Sequence, residues 1–170
     1  MKSKQFVPVP IKCPKCGHII GYQAFFQSFE QKVAIWLNGK TAPNSQPGYD
    51  VHQCKPFPKL TFQVKYASLY KFKSPKRAYT DEMWTWVVKY PQPKEPDFFV
   101  LFGLRDQKEF VFLVPRDVFF SKATTYKERI SLKVSAKEKS DRKNYNYIPW
   151  IWEYWIKNPK KNLASAPILV

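Results

Sequence analysis

Two strongly apolar segments separated by only three residues constrain the fold more than any other feature of this sequence. They are DFFVLFGLR at residues 97–105 and EFVFLVP at residues 109–115. Each has the length of a β-strand, and neither approaches the length of a membrane span. A third segment, KLTFQVKYA at residues 59–67, alternates between apolar and polar side chains, as a strand with one buried face does. Together the three segments predict a sheet at the centre of the fold.

Helical spacing of apolar residues predicts helices near both ends of the chain. The first is predicted over residues 28–38, with Ser28 as its N-cap and Gly39 as its stop signal. A C-terminal helix is predicted within IPWIWEYWIK, residues 148–157. Short strands are predicted in YDVHQC and ISLKVS, and the basic, aromatic stretch 71–96 is interpreted as an irregular insertion or a short helix with loops. This order predicts a mixed α/β (α+β) domain with a central mixed sheet flanked by helices.

The composition describes a chain that can bury a core and that carries a large positive charge. Its 170 residues are 44% hydrophobic and 18% aromatic, which excludes an intrinsically disordered chain. Its 29 Lys and Arg residues exceed its 13 Asp and Glu residues, for a net charge of +16. This excess favours a polyanion, and nucleic acid in particular, as the partner. The first residues lack the apolar stretch of a signal peptide, so we expect a cytoplasmic protein with no membrane partner.

Four polar residues fall on the predicted elements in a pattern that suits metal-assisted chemistry. Glu30 lies on the first helix beside its apolar stripe, and Asp50 lies at the start of the YDVHQC strand. Gln63 and Lys65 are two residues apart, so both project from one face of their strand. Two carboxylates and an amide oxygen suit a hard cation such as Mg²⁺. A lysine beside that ion can orient a water or stabilise charge on a phosphate, which suggests a phosphodiesterase site.

These residues resemble the motifs of the PD-(D/E)XK nuclease superfamily. The resemblance consists of the helix with Glu30, the sequence PGYD with Asp50 and the strand TFQVK, and it covers roughly residues 29–115. It implies a restriction-endonuclease-like core and an Mg²⁺-dependent endonuclease that hydrolyses phosphodiester bonds in duplex DNA, of the restriction or homing type. It also implies that Glu30, Asp50 and Gln63 bind Mg²⁺ and that Lys65 positions the attacking water. Such enzymes often form homo-oligomers, so we expect a dimer or a tetramer.

The sequence departs from the usual pattern of that superfamily at Gln63, where Asp or Glu is usual. A neutral amide gives the site less negative charge and should weaken Mg²⁺ binding. Variants with Gln-x-Lys are similar to some homing and restriction endonucleases. Glu30 would then supply the charge that position 63 lacks.

The sequence CPKCGH at residues 13–18 has the spacing of a zinc knuckle. Cys13 and Cys16 can face one metal across a turn that contains a glycine. A closed structural Zn²⁺ site needs two further ligands, and the candidates are Cys54 as the third with His18 or His52 as the fourth. The alternative is an ordinary turn with two free thiols.

Two stretches that interleave basic and aromatic residues predict loops that contact DNA phosphates. Their basic residues are Lys71, Lys73, Lys76, Arg77, Lys137, Lys139, Arg142 and Lys143. We divide the chain into an N-terminal extension at 1–27, a nuclease-like domain at 28–158 and a C-terminal tail at 159–170. Two alternatives to the nuclease stay open: a non-catalytic, zinc-containing DNA-binding protein, and an RNA-binding protein in which the four-residue pattern is accidental.

Overall fold

A computed structural model describes residues 11–12, 19–20, 22–43, 48–55, 57–73, 80–89, 94–138 and 149–165. Its helices are α1 (Tyr22–Trp36), α2 (Arg116–Lys122) and α3 (Pro159–Asn162). Its strands are β1 (Ile11–Lys12), β2 (Ile19–Ile20), β3 (Lys40–Thr41), β4 (Val51–His52), β5 (Phe62–Ser68), β6 (Tyr70–Lys73), β7 (Thr80–Lys89), β8 (Phe98–Arg105), β9 (Lys108–Pro115), β10 (Thr124–Tyr126) and β11 (Arg129–Ser135). Two short 3₁₀ helices follow, at Trp150–Tyr154 and Leu163–Ser165.

Two sheets organise the described part of the chain. The main sheet has the order β3-β4-β5-β8-β9, in which β5 and β8 are parallel and the other neighbours are antiparallel. The second sheet has the order β10-β11-β7-β6 and is antiparallel throughout. The prediction of an α+β domain with a mixed sheet is therefore confirmed. None of the helices in the described part of the chain has the length and apolar character that a membrane crossing requires.

Each face of the main sheet buries a separate apolar cluster. The helix-side cluster packs Phe29, Val33 and Leu37 of α1 against Phe62 and Val64 of β5. The sheet-side cluster lies between the main sheet and the second sheet, and also packs against α2. Its largest fully buried side chains are Trp84, Trp86, Phe99, Phe112, Phe119, Leu101, Leu132 and Ile151. The expectation of a central sheet flanked by helices is thus corrected for one face, because a second sheet supplies most of the layer there.

Two of the four strands of the second sheet, β6 and β7, arise from the stretch that we interpreted as an irregular insertion, and that interpretation was wrong. Strand β7 is ten residues long and alternates strictly: Trp84, Trp86 and Val88 are buried while Thr85 and Val87 are exposed. Burial of two indoles contributes roughly 2 kcal/mol or more each, enough to outweigh the polar residues between them. The alternation was visible in WTWVV, but the flanking prolines and lysines concealed it.

The indole N–H groups fix how β7 crosses the main sheet. Trp84 donates to the carbonyl of Leu104 at 3.0 Å, and Trp86 donates to that of Phe102 at 2.9 Å. Two steps forward along β7 correspond to two steps back along β8, so β7 runs antiparallel over β8. The C-terminal end of β7, at Lys89, therefore lies toward the ends where β5 and β8 begin.

The predicted C-terminal α-helix was also wrong. Residues Trp150–Tyr154 form a 3₁₀ helix, and Trp155 then takes an extended conformation and bridges Phe112 of β9. The Ile156 N–H donates to the carbonyl of Val111 at 2.8 Å. The edge of β9 satisfies these backbone groups, so the chain leaves its helical path. Further along, Leu163 is fully buried in the helix-side cluster, within the segment that we interpreted as a tail.

Candidate active site at the end of strand β4

Strand β4 is much shorter than its neighbour β5, and Asp50 occupies the place where the pairing ends. β4 pairs with β5 at Val51 and Phe62. The Asp50 N–H donates to the carbonyl of Phe62 at 2.8 Å, and its Oδ2 accepts the N–H of Val64 at 2.7 Å. Asp50 therefore bonds to the residues on both sides of Gln63. The carboxylate is held by the backbone at the edge of the main sheet.

Gly48 allows the chain to turn into this position. Its φ is +110°, and an added Cβ would lie 1.7 Å from the carbonyl oxygen of Lys94. An L-residue rarely adopts this φ, and none fits so close to a backbone oxygen. The glycine of the GYD sequence is thus required for the position of Asp50.

Lys65 completes a charged pair with Asp50. Its Nζ lies 4.0 Å from Asp50 Oδ2, and the two side chains are 29% and 21% exposed, respectively. An ammonium at this distance in a partly buried setting attracts the carboxylate and still has donors to offer to another group. The predicted proximity of Asp50 and Lys65 is present in the structure.

Glu30 joins this pair from helix α1. Burial raises the pKa of Glu30 from its ordinary value of 4.5 to about 7; the Asp50 carboxylate acts in the same direction and Lys65 opposes it. Burial also raises the pKa of Asp50, against the opposing effects of Lys65 and of the hydrogen bond from Val64. Within the described residues, the Glu30 carboxylate has no hydrogen bond or ion pair. Two carboxylates and one ammonium therefore form one electrostatic cluster. Removal from water is the largest contribution to the raised pKa of each carboxyl group.

Gln63 lies beside this cluster, on the same face of β5 as Lys65. The alternation of β5 directs Phe62 and Val64 toward the helix-side cluster, and Ala67 toward the sheet-side cluster. Gln63 and Lys65 share the face of Ala67. Gln63 is 4% exposed, whereas the longer Lys65 reaches the edge at Asp50. The structure thus pairs Asp50 with Lys65 at 4.0 Å, places Glu30 near enough to interact electrostatically with both, and places Gln63 next to them through the backbone bonds of Asp50.

Asp97 is a polar residue near this site whose contact the sequence did not predict. Its Oδ2 accepts the Thr61 N–H at 2.7 Å and the Thr61 hydroxyl at 2.8 Å. These bonds join the starts of the parallel strands β5 and β8, on which the site depends. The sequence signal is an Asp directly before an apolar strand, but parallel pairing cannot be read from it.

The zinc and DNA-contact predictions fall largely outside the described residues. Cys13, Cys16, His18, Lys76, Arg77, Lys139, Arg142 and Lys143 lie there, as does the side chain of Lys73. Cys54 is fully buried in the helix-side cluster, where burial raises the pKa of its thiol to about 11. The His52 ring packs near Tyr49, with ring centroids 5.5 Å apart.

Two of the predicted DNA contacts are described. Lys71 forms an ion pair with Glu82 at 3.1 Å, although its side chain is 59% exposed. Lys137 is partly buried, and its backbone N–H donates to the Ser135 hydroxyl at 3.2 Å. Lys71 is thus partly neutralised, which weakens it as a phosphate contact.

Within the described residues, no group of three or more His, Cys, Asp or Glu side chains is placed to hold a metal ion. Glu30 and Asp50 form a pair of carboxylates rather than a triad, in agreement with glutamine at position 63. No protein-family model matches the sequence, and no curated protein matches it significantly. The chemistry of the site is therefore inferred from its own geometry.

Proposed function

We propose that the protein is a metal-dependent DNA endonuclease with a restriction-endonuclease-like core, and that Glu30, Asp50, Gln63 and Lys65 form its active site. The observation that carries the proposal is the convergence of Glu30 and Asp50 with Lys65 at the edge of the main sheet. Glu30 comes from helix α1, Asp50 directly precedes the short strand β4, and Lys65 comes from the longer strand β5. Strands β4 and β5 are neighbours in the main sheet, and α1 contacts both. This is the order of elements on which the resemblance to PD-(D/E)XK nucleases was based.

A divalent cation would resolve the unfavourable electrostatics of the cluster. Burial raises the pKa of both carboxyl groups, and the ammonium of Lys65 at 4.0 Å compensates one negative charge at most. Mg²⁺ binds in proteins through one or two carboxylates and retains several waters. Glu30 and Asp50 would hold it, with the amide oxygen of Gln63 as a third ligand. When bound, Mg²⁺ polarises a phosphodiester and activates a water.

The protein residues have separate tasks around that ion. Asp50 is fixed by its two bonds to β5, so its carboxylate is preorganised. Glu30 has no such bond among the described residues and can adjust to the ligand. Lys65 is placed to orient a water or to stabilise the charge that develops on the phosphate.

The net charge of +16 supports DNA as the substrate. We further propose that the protein acts as a homo-oligomer, so that two sites cut the two strands. A structural Zn²⁺ bound by Cys13 and Cys16, with Cys54 and His18 or His52, is part of the same proposal. It would leave the chemistry to the Mg²⁺ site, since all four of its positions would be filled by protein.

The proposal is tested by incubating duplex DNA with the protein in Mg²⁺ or in EDTA. We expect cleavage in Mg²⁺ alone, with loss of at least about 100-fold in Asp50→Asn and Lys65→Ala, which is the usual size of an electrostatic or general-acid-base contribution. Matched controls are Asp117→Asn and Lys108→Ala, since both residues are exposed and distant in sequence from the site. Binding without cleavage in Mg²⁺, Mn²⁺ or other divalent ions would favour the non-catalytic alternative.

A further inference from the structure

The second sheet exposes one face, here called the outer face, that no described segment covers. Its inward residues, such as Trp84 and Trp86, are buried in the sheet-side cluster. Its outward residues are exposed or partly exposed, and they include two large apolar side chains, Tyr126 at 69% and Val87 at 47%. A regular, open sheet face of this kind, with large apolar side chains in the open, suits a binding partner.

The outer face is basic. Arg129, Lys89 and Lys133 project from it, and all three are exposed. Between Met83 and Lys89 of β7, and on β11, the other outward positions carry methionine, threonine, valine and serine. Glu128 lies at the border, in the turn between β10 and β11. The charge of this surface is complementary to a polyanion.

One pair on the outer face is unfavourable unless an anion binds. Arg129 and Lys89 lie directly opposite each other on neighbouring strands. Like charges in that position repel and destabilise a sheet. Neither side chain forms an ion pair with a described residue. A phosphate between the two cations would turn this repulsion into attraction.

The cations are arranged along lines that a nucleic-acid backbone can follow. Tyr126, Arg129 and Lys89 form a row across three strands, and the Nζ of Lys127 lies 5.6 Å from the Tyr126 ring centroid. Lys133 lies four residues along β11 from Arg129, about 13 Å away at ~3.3 Å per residue. Because one strand of duplex DNA carries a phosphate for every ~3.4 Å of helix axis, Arg129 and Lys133 can contact different phosphates of the same strand.

The row lies toward the end of the molecule that carries the candidate site. Because β7 runs antiparallel over β8, Lys89 lies toward the starts of β5 and β8. Asp50 and Asp97 lie at that same end of the main sheet.

We propose that the outer face of the second sheet binds the phosphate backbone of DNA through Lys89, Arg129 and Lys133. The inference rests on the proposed function for the identity of the polyanion as DNA. The outer face would then contact DNA in addition to the basic loops that the sequence predicts as DNA contacts.

The test measures binding of a fluorescent DNA duplex in EDTA, at salt concentrations from 0.05 to 0.3 M. The double variant Lys89→Ala/Arg129→Ala should reduce the slope of log K against log salt by about 2, and weaken binding on the order of 50-fold at about 0.1 M salt. The matched control is Lys160→Ala/Lys161→Ala, which removes the same charge. These lysines are exposed on α3, which contacts α1 on the opposite side of the main sheet. Melting curves of both variants check that they fold.

Equal affinities and slopes for the two double variants would overturn the inference, as would binding to anionic vesicles without binding to DNA. If the double variant fails to fold, Lys133→Ala alone should reduce the slope by about 1. Because the assay contains no divalent ion, its outcome is independent of cleavage. A wild-type protein that binds through the outer face and does not cleave would refute the proposed function and leave this inference standing.

Discussion

Replacing Glu30 with glutamine should stabilise the metal-free protein above pH 7. In the folded chain, burial raises the pKa of Glu30 from 4.5 to about 7. The folded state therefore holds this proton more tightly than the unfolded state does. As the pH rises from about 4.5 to about 7, wild-type stability falls, and above that range the loss is complete. Glutamine has the same shape and does not ionise, so the variant should lack this loss.

The expected gain in stability of Glu30→Gln follows from the raised pKa of Glu30 and from the partial exposure of its side chain. A change from 4.5 to about 7 corresponds to about 3 kcal/mol at ~1.36 kcal/mol per pH unit. Glu30 is only half-buried, so solvent screening reduces this to about 1–2 kcal/mol. For a chain of 170 residues, that corresponds to a melting temperature higher by roughly 2–8 °C in the variant.

The assay is thermal unfolding of wild type and Glu30→Gln from pH 4 to pH 9 in EDTA, repeated with Mg²⁺. The two curves should coincide near pH 4 and separate as the pH rises to 7. Mg²⁺ at pH 8 should then stabilise wild type more than the variant, because ion binding favours the ionised carboxylate. Glu128→Gln, an exposed site in a turn, serves as the control. A difference that does not change with pH, or a variant less stable than wild type at pH 8, would refute the reasoning.

The remaining predictions concern the two positions that shape the site. Gly48→Ala should destabilise the protein by about 2–4 kcal/mol in chemical denaturation, because the added Cβ meets the Lys94 carbonyl at a φ of +110°; wild-type stability in this variant would contradict the geometry of the turn. Gln63→Glu should lower stability in EDTA by about 1–3 kcal/mol, since it buries a charge at a 4% exposed position. The same variant should reach half-maximal cleavage at a lower Mg²⁺ concentration, and an unchanged Mg²⁺ dependence would show that Gln63 is not a ligand.

The sequence predicted those elements in which a single periodicity dominates. Strands β5, β8 and β9 were predicted from alternation and apolar length, and α1 from the spacing of Phe29, Val33 and Leu37, although it begins earlier than expected. Prediction from the sequence failed where pairing with a distant strand determined the local structure. Trp155 continues as extended chain because β9 offers a free edge to it, and no local pattern encodes that edge.

The proximity of Glu30, Asp50 and Lys65 was predictable from the sequence, but the detailed arrangement of these residues was not. Glu30, Asp50 and Lys65 converge because a helix, a short strand and the next strand pack in order. The bond from the Val64 N–H to Asp50 depends on where β4 ends, which is set by pairing register. The close approach of Gly48 to the backbone of Lys94, 46 positions along the chain, is likewise a long-range feature.

The most direct test of the account is to locate a divalent ion. Crystals of the protein grown with Mn²⁺ in place of Mg²⁺ should show an anomalous peak between the carboxylates of Glu30 and Asp50, within about 2.5 Å of an oxygen of each. Crystals of Asp50→Asn under the same conditions should lack the peak. A wild-type map in which Mn²⁺ binds elsewhere, or in which no Mn²⁺ lies between the two carboxylates, would contradict the account.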